Sequence, residues 1–406
     1  MSGIFNTRPR FQDRDMKQMS GDTMTLSGDT IITGNLAYNN GATIGYVLTA
    51  IDTNGNVGWS PLSSVTPGIF WTSGSTNLSN IIADNGTGTD ATGQFAVSWG
   101  KGNLSSGFLS TSMGQDNLAS GPTSLAQGRD TIASGFYSHS QGSLTKASGD
   151  SSHAEGDNTL ASGGSSHAEG DNTLASGQAS HAEGNGSIAD GEASHAEGSG
   201  STASGPGSHA EGTLTFSKGS YSHAEGMSTT AATQYSHSEG FTTLATGESS
   251  HAEGDGTVSS GQASHAEGVD TQTNSNYSHS EGDGTETNGL GCHTEGLSTV
   301  TYGNYAHAEG SGTRAGISTT VGIASHASGL GTIAYEDYQT VMGRYNTTGN
   351  TNQYLVVGRG TSSAARANAF RIDSAGEIYG AGATYNSGAD YAEYFESVDG
   401  SSIPFG

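Results

Sequence analysis

Ser152-His153-Ala154-Glu155-Gly156-Asp157-Asn158-Thr159-Leu160-Ala161-Ser162-Gly163, then Gly164-Ser165, then Ser166-His167-Ala168-Glu169-Gly170: the chain returns to its starting pattern after fourteen residues. The pentapeptide Ser-His-Ala-Glu-Gly, or a close variant, recurs in this way from Ser138 to Gly310. Its histidines are His139, His153, His167, His181, His195, His209, His223, His237, His251, His265, His279, His293 and His307, with no slip in register. A fixed period dictates architecture before any other motif does. Each unit holds two short extended segments closed by glycine, the second being Thr159-Leu160-Ala161-Ser162-Gly163 in the stretch quoted. That pattern predicts one coil of a β-solenoid and not a helical repeat.

Side chains alternate faces along a strand, so the columns of the repeat show which residues point inward. The residue after each His is small: Ser140, Ala154, Ala168, Ala182, Ala196, Ala210. Ala147, Ala161, Ala175, Ala189, Ala203 and Ser217 form a matching column in the second segment, with Thr, Ser or Asn two residues earlier (Asn117, Thr131, Thr159, Ser187, Thr243). Facing columns of small residues predict a narrow roll. The His and Glu columns then face outward, and upstream they continue as Leu125, Thr111, Val97 and as Gln127, Met113, Trp99. A column that also accepts Val, Leu, Met and Trp reads as covered by a neighbouring chain. The expected interface residues are His139, His153, Glu155, His167, Glu169, His181, Glu183, His195, Glu197, His209, Glu211, His223, Glu225, His251, Glu253, His265, Glu267, His307 and Glu309. A His N–H to carboxylate bond across that interface would satisfy both buried groups. The outer positions of the second segment (Lys146, Ser162, Asp190, Glu286, Arg314) read as a mixed, solvated face.

The pattern Ser-x-Ala-x-Gly-x-x-Thr/Ser-x-Ala-x-Gly, over residues 93 to 316, resembles the head repeat of trimeric YadA-like adhesins, here with His and Glu at two usually aliphatic positions. The resemblance implies an all-β, left-handed parallel β-roll with 14-residue rungs, three chains packed about a threefold axis, and smaller β regions at both ends. At ~4.8 Å per stacked strand, about sixteen rungs give a rod roughly 75 Å long.

Composition sets further limits. Gly is 65 of 406 residues, more than twice average usage, and the formal net charge is −26. Low hydrophobicity with high charge is a signature of disorder, but a disordered tract has no reason to keep a fourteen-residue register. With 13 Lys and Arg in all, neutralising the phosphates of a nucleic acid is not expected. Residues 1–18 lack the apolar core of a secretory signal, and no apolar run reaches the ~18 residues of a bilayer span. No membrane insertion is expected. The lone Cys292 excludes an internal disulfide and occupies the small Ser column before His293.

Outside the repeat, residues 1–92 read as a virion-attachment region on position. Within them Gly45 to Ala50 and Val57-Gly58-Trp59 form a hairpin around Asn54-Gly55, a strong turn pair, and 61–67 reads as a linker. After Gly310 the register fails, since His326 follows His307 by nineteen residues. Residues 319–334 read as a transitional coil, and 317–389 as a β cap over the open end of the roll, where an uncovered last rung would be an aggregating edge.

At the end of the chain, Ser387-Gly388-Ala389-Asp390-Tyr391-Ala392-Glu393-Tyr394-Phe395-Glu396, with Asn368-Ala369-Phe370 and Val357-Gly358-Arg359-Gly360, resembles the start of the intramolecular-chaperone autoproteolytic domain of phage appendage proteins. The resemblance implies a cut between Ala389 and Asp390 with Asp390 and Glu393 as acid and base, a chemistry suited to two carboxylates flanking a peptide bond. Only seventeen residues follow Ala389, so 390–406 is equally readable as a structural strand.

A ladder along one axis does not converge the three or four ligands that a metal needs, so no metal or cofactor is expected. Cross-chain His–Glu pairing predicts a raised imidazole pKa in the folded state. That stabilisation would be full below the unfolded pKa and fade as pH rises through the folded one. The expected role is a homotrimeric fibre or appendage exposed on a virion, joined to other virion proteins through its N-terminal region and touching a glycan or protein receptor on the host. A self-cleaving precursor and a bacterial surface adhesin are the alternatives; the second would need an export signal and an anchor.

Overall fold

The computed structural model describes residues 46–50, 57–61, 71–74, 77–84, 88–349 and 352–381. Among them every regular element is a β-strand, and no helix is long and apolar enough to cross a membrane. The chain divides into two units, 1–66 and 67–406. In the first, Tyr46–Ala50 pairs antiparallel with Val57–Pro61, Tyr46 opposite Pro61 and Ala50 opposite Val57. This is the hairpin expected around Asn54-Gly55.

The second unit is a β-solenoid of about 19 turns. Each turn contributes a five-residue strand such as His153–Asp157 and a two-residue strand such as Leu160–Ala161. Successive turns pair parallel and in register: His153 opposite His167, Ala154 opposite Ala168, Glu155 opposite Glu169. The short strands do the same, Leu160 opposite Leu174 and Ala161 opposite Ala175. Two parallel sheets thus run the length of the stack, which extends for about 90 Å at ~4.8 Å per turn.

The interior is as narrow as the small columns require. Ala154, Ala161, Ala168 and Ala175 are fully buried, and so are Ser140 and Ser217. So little apolar surface is available that backbone hydrogen bonds between turns carry much of the cohesion, for example His153 N–H to Ser166 O and Leu160 N–H to Thr173 O, both 2.9 Å. Buried serine hydroxyls are bonded locally: Ser152, Ser166 and Ser180 donate to the carbonyls of Gly149, Gly163 and Gly177 at 2.6, 2.7 and 2.8 Å. The Cys292 thiol lies in the same column, 2% exposed, and burial raises its pKa.

The glycine that closes the long strand is demanded by geometry. Gly156, Gly170, Gly184 and Gly198 have φ of +114°, +112°, +103° and +104°. A Cβ on any of them would lie within 2.2 Å of the carbonyl oxygen of the equivalent glycine in the next turn. The second glycine column is more permissive, since Thr233 and Ser275 stand in it.

Three boundaries differ from the sequence expectation. The parallel stack starts before residue 92, because Ile81 to Asp84 already pair in register with Val97 to Gly100. It also continues past 316. His326–Leu330 lies in register on His307–Ser311, and Ile333–Ala334 on Arg314–Ala315. The stretch read as a transitional coil is therefore a full turn; the five extra residues, 317–321, loop out at one corner, closed by a bridge between Ser318 and Val321. Thr340–Arg344 adds another turn, and Gln353–Arg359 follows it in parallel. The end is then closed by antiparallel pairing of Gln353–Arg359 with Asn368–Asp373 and of that strand with Ile378–Gly380, the β cap in a shorter form.

Candidate functional site

The long sheet presents one unbroken outward face. Period-two alternation turns His and Glu of each five-residue strand to the same side, and the in-register pairing stacks like on like. Every His and Glu expected at an interface, from His139 to Glu309, lies on this face, as do His237, Glu239, His279, Glu281, His293, Glu295 and His326. The imidazoles stack ring on ring, with centroids 4.5 to 4.9 Å apart and planes within 14° of parallel. Their side chains are about one-third exposed, as are those of the neighbouring glutamates or slightly more.

Most imidazoles have a carboxylate within 4 Å but do not hydrogen-bond to it. His153 Nε2 is 3.7 Å from Glu155 Oε2, and His237 Nε2 is 3.6 Å from Glu239 Oε2. Toward the C-terminal end the nearest carboxylate is in the preceding turn: His307 to Glu295 at 3.8 Å and His326 to Glu309 at 3.5 Å. A charge-assisted N–H···O bond spans ~2.7–2.9 Å, so these are close neighbours and not hydrogen bonds. All fourteen Nε2 atoms are closed off from solvent with no hydrogen-bond partner in the chain. That is a line of polar groups of the kind folded proteins almost always satisfy.

Within one chain, imidazoles are shifted down, whereas the rise expected above is for pairing across chains. His139, His153, His167, His181, His209, His223, His279 and His307 have pKa values below the usual 6.5, and His251 falls to about 4. Desolvation is the largest cause. Repulsion from imidazoles stacked above or below comes next for all of these but His139, and the glutamates oppose both. The expected rise concerned carboxylates of a neighbouring chain; within one chain the like-charged rings ~4.8 Å away on either side add to the effect of desolvation.

The donor atoms come closer together than a simple ladder implies. One ligand atom each from His167, Glu169 and His181 lies within 4.8 Å of the other two, and His181, Glu183 and His195 repeat this. Two donors sharing a transition metal at ~2.1 Å each can be no more than ~4.2 Å apart. Such triples could hold a metal ion where their donors close to that distance.

Beside the ladder runs a groove of about 580 Å³, walled by Glu253, Glu267, Glu281, Glu295 and Glu309 and floored by glycines such as Gly268 and Gly282. At its N-terminal end the His column becomes Leu125, Thr111 and Val97, and the Glu column becomes Gln127, Met113 and Trp99. Beyond His326 the His column continues as Thr340 and Leu355. Trp99 and Met342 are 54% and 42% exposed. Apolar surface therefore flanks the polar ladder at both ends.

The opposite sheet holds a column that the sequence reading missed. Leu118, Ile132, Leu160, Leu174, Ile188, Phe216, Leu244, Val258, Val300 and Ile333 share one in-register column, all half-buried, which Thr202, Thr230 and Gln272 interrupt. Lys146, Glu286 and Arg314 belong to this column, but Ser162 and Asp190 lie two residues further along the coil. Mixing the two positions made an aliphatic ridge look like a solvated face; reading a single position down the repeat would have found it.

Asp390 and Glu393 lie outside the described residues, as does Ala389. No protein-family model and no curated protein matches this chain.

Proposed function

We propose that the chain is a structural fibre element of a virus particle, built as a homotrimer whose His/Glu faces meet along a common axis and displayed for attachment to a host surface. One observation carries the reading: an unbroken ladder of imidazoles and carboxylates, each about one-third exposed or slightly more, covers one face of the long sheet, with exposed apolar residues at both ends. A second copy laid on this face takes the exposed parts of the imidazole rings out of water at turn after turn. The aliphatic ridge on the other sheet and the apolar ends of the ladder likewise gain from being covered. The likeness of the repeat to YadA-like heads supports three as the number of copies, since heterologous contacts that close make a ring.

Mechanically, a stack whose every turn contacts only its neighbours is stiff along its axis and tolerant of length changes. These properties suit display. Imaging the intact particle by cryo-electron microscopy, with an antibody against the solenoid as marker, tests the role. Label on projecting fibres supports it; label confined to host-cell fractions and missing from particles contradicts it.

A further inference from the structure

The turn that precedes each long strand places one residue, two before the His column, in the left-handed region. Glycine or asparagine tolerates that conformation best, and some turns use Gly207 or Gly291 there. Others use tyrosine: Tyr137, Tyr221, Tyr235, Tyr277, Tyr305 and Tyr338, with φ between +55° and +60°. The backbone gains nothing from an aromatic side chain at this corner, and the rings are not packed away. Tyr277, Tyr305 and Tyr338 are 61%, 62% and 69% exposed.

Near the C-terminal end these rings are regularly spaced. The corner residues of five consecutive turns are Tyr277, Gly291, Tyr305, Ala324 and Tyr338, so tyrosine alternates with a small residue. The small residue makes room: a Cβ on Gly291 would sit 3.0 Å from Cδ1 of Tyr305, so the ring lies along the stack over the preceding corner. Two turns separate successive tyrosines, or ~10 Å, about the length of a disaccharide.

The five-residue insertion that breaks the fourteen-residue period lies beside the last ring. Asp337 accepts hydrogen bonds from the backbone N–H groups of Gly322 and Ile323, both at 2.8 Å, which pins the insertion against the next turn. The result is a pocket of about 350 Å³ in which Thr320 and Val321 face Tyr338, with Glu336, Asn352 and Gln353 on its lining. Exposed aromatic faces beside amide and carboxylate groups suit a ligand with apolar C–H faces and many hydroxyls. Two carboxylates at the pocket and a net charge of −26 disfavour a polyanion.

We infer that the corner strip from Tyr277 to Tyr338, ending in the pocket at Tyr338, binds a neutral, extended polysaccharide. Sugar rings lie on alternate-turn tyrosines, and hydroxyls bond to Asn352 and Glu336. The inference rests on the attachment reading for its biological setting and names the chemistry of the receptor.

The test is calorimetric titration of the full chain with cellohexaose, N-acetylated chitohexaose and, as polyanion, polygalacturonate. Binding of a neutral hexasaccharide is expected, weakened at least about tenfold in Tyr305→Ala and Tyr338→Ala. Tyr305→Phe and Tyr137→Ala, the latter on an isolated corner, should bind as the parent does. The inference is overturned if neither neutral sugar binds, if polygalacturonate binds in their place, or if Tyr137→Ala weakens binding equally. A change of oligomeric mass in Tyr305→Ala would also overturn it, by making the strip a contact between copies. A chain found on particles that binds none of the sugars sinks this inference alone and leaves the fibre role standing.

Discussion

Replacing Gly198 by alanine probes what holds one turn upon the next. Gly198 has φ +104°, and a Cβ there would lie 2.1 Å from the carbonyl oxygen of Gly212 and 2.9 Å from its carbon. Holding a non-glycine residue in such a backbone conformation costs about 1–3 kcal/mol, and forcing a methyl group into packed surroundings costs about 1–3 kcal/mol more. Gly198→Ala should therefore destabilise by about 2–6 kcal/mol. Gly186 supplies the control. Its φ is +67°, nothing lies within 4 Å of an added Cβ, and Asn158, Asn172 and Leu214 hold the same corner in other turns. Gly186→Ala should cost only about 1–2 kcal/mol. Urea unfolding followed by far-ultraviolet circular dichroism, at one fixed protein concentration because assembly shifts midpoints, compares the two. Hydrogen exchange should show that Gly198→Ala loses protection around residues 198 and 212, as expected when each repeat depends on its neighbours. Equal midpoints for the two variants would refute the reasoning, because steric closeness between turns would then not be what selects glycine.

The lowered imidazole pKa values make stability depend on pH with a definite sign. Folded values lie below the unfolded value near 6.5, so the contribution is complete above that pH and is lost as pH falls through the folded values, down to about 4 for His251. Allowing for solvent screening at its one-third exposed side chain, His251 contributes about 1–2 kcal/mol over that window. The melting temperature should drop from about pH 7 to about pH 4, less steeply in His251→Gln; a profile that is flat or rises on acidification contradicts this. If self-cleavage occurs at Ala389–Asp390, intact-mass measurement will find a product ending at Ala389 in the parent and none in Asp390→Asn. A full-length parent mass rules the cleavage out.

The repeat made most of the fold legible because every column carries one physical demand. Alanine and serine mark the inside, since nothing larger fits between two sheets this close. Glycine after Glu marks the place where a side chain would strike the next turn. Histidine and glutamate mark an outward face two residues apart. Period reading failed where geometry escapes a count of residues. The insertion at 317–321 looks like the end of the register, although a solenoid corner loops out five residues and leaves His326 stacked on His307. The downward shift of the imidazoles within one chain went unread for a related reason. A sequence shows the Glu two residues from each His, but the rings of adjacent turns are fourteen residues away along the chain. Tyrosines at the corner drew no notice in sequence because their significance lies in a conformation, φ near +60°, that only coordinates display.

Sedimentation equilibrium of the purified chain at neutral pH tests the central claim most directly. One chain has a mass of 40.9 kDa, and meeting of the His/Glu faces about a common axis predicts a species of three times that mass, persisting on dilution. A folded species at the single-chain mass would contradict it.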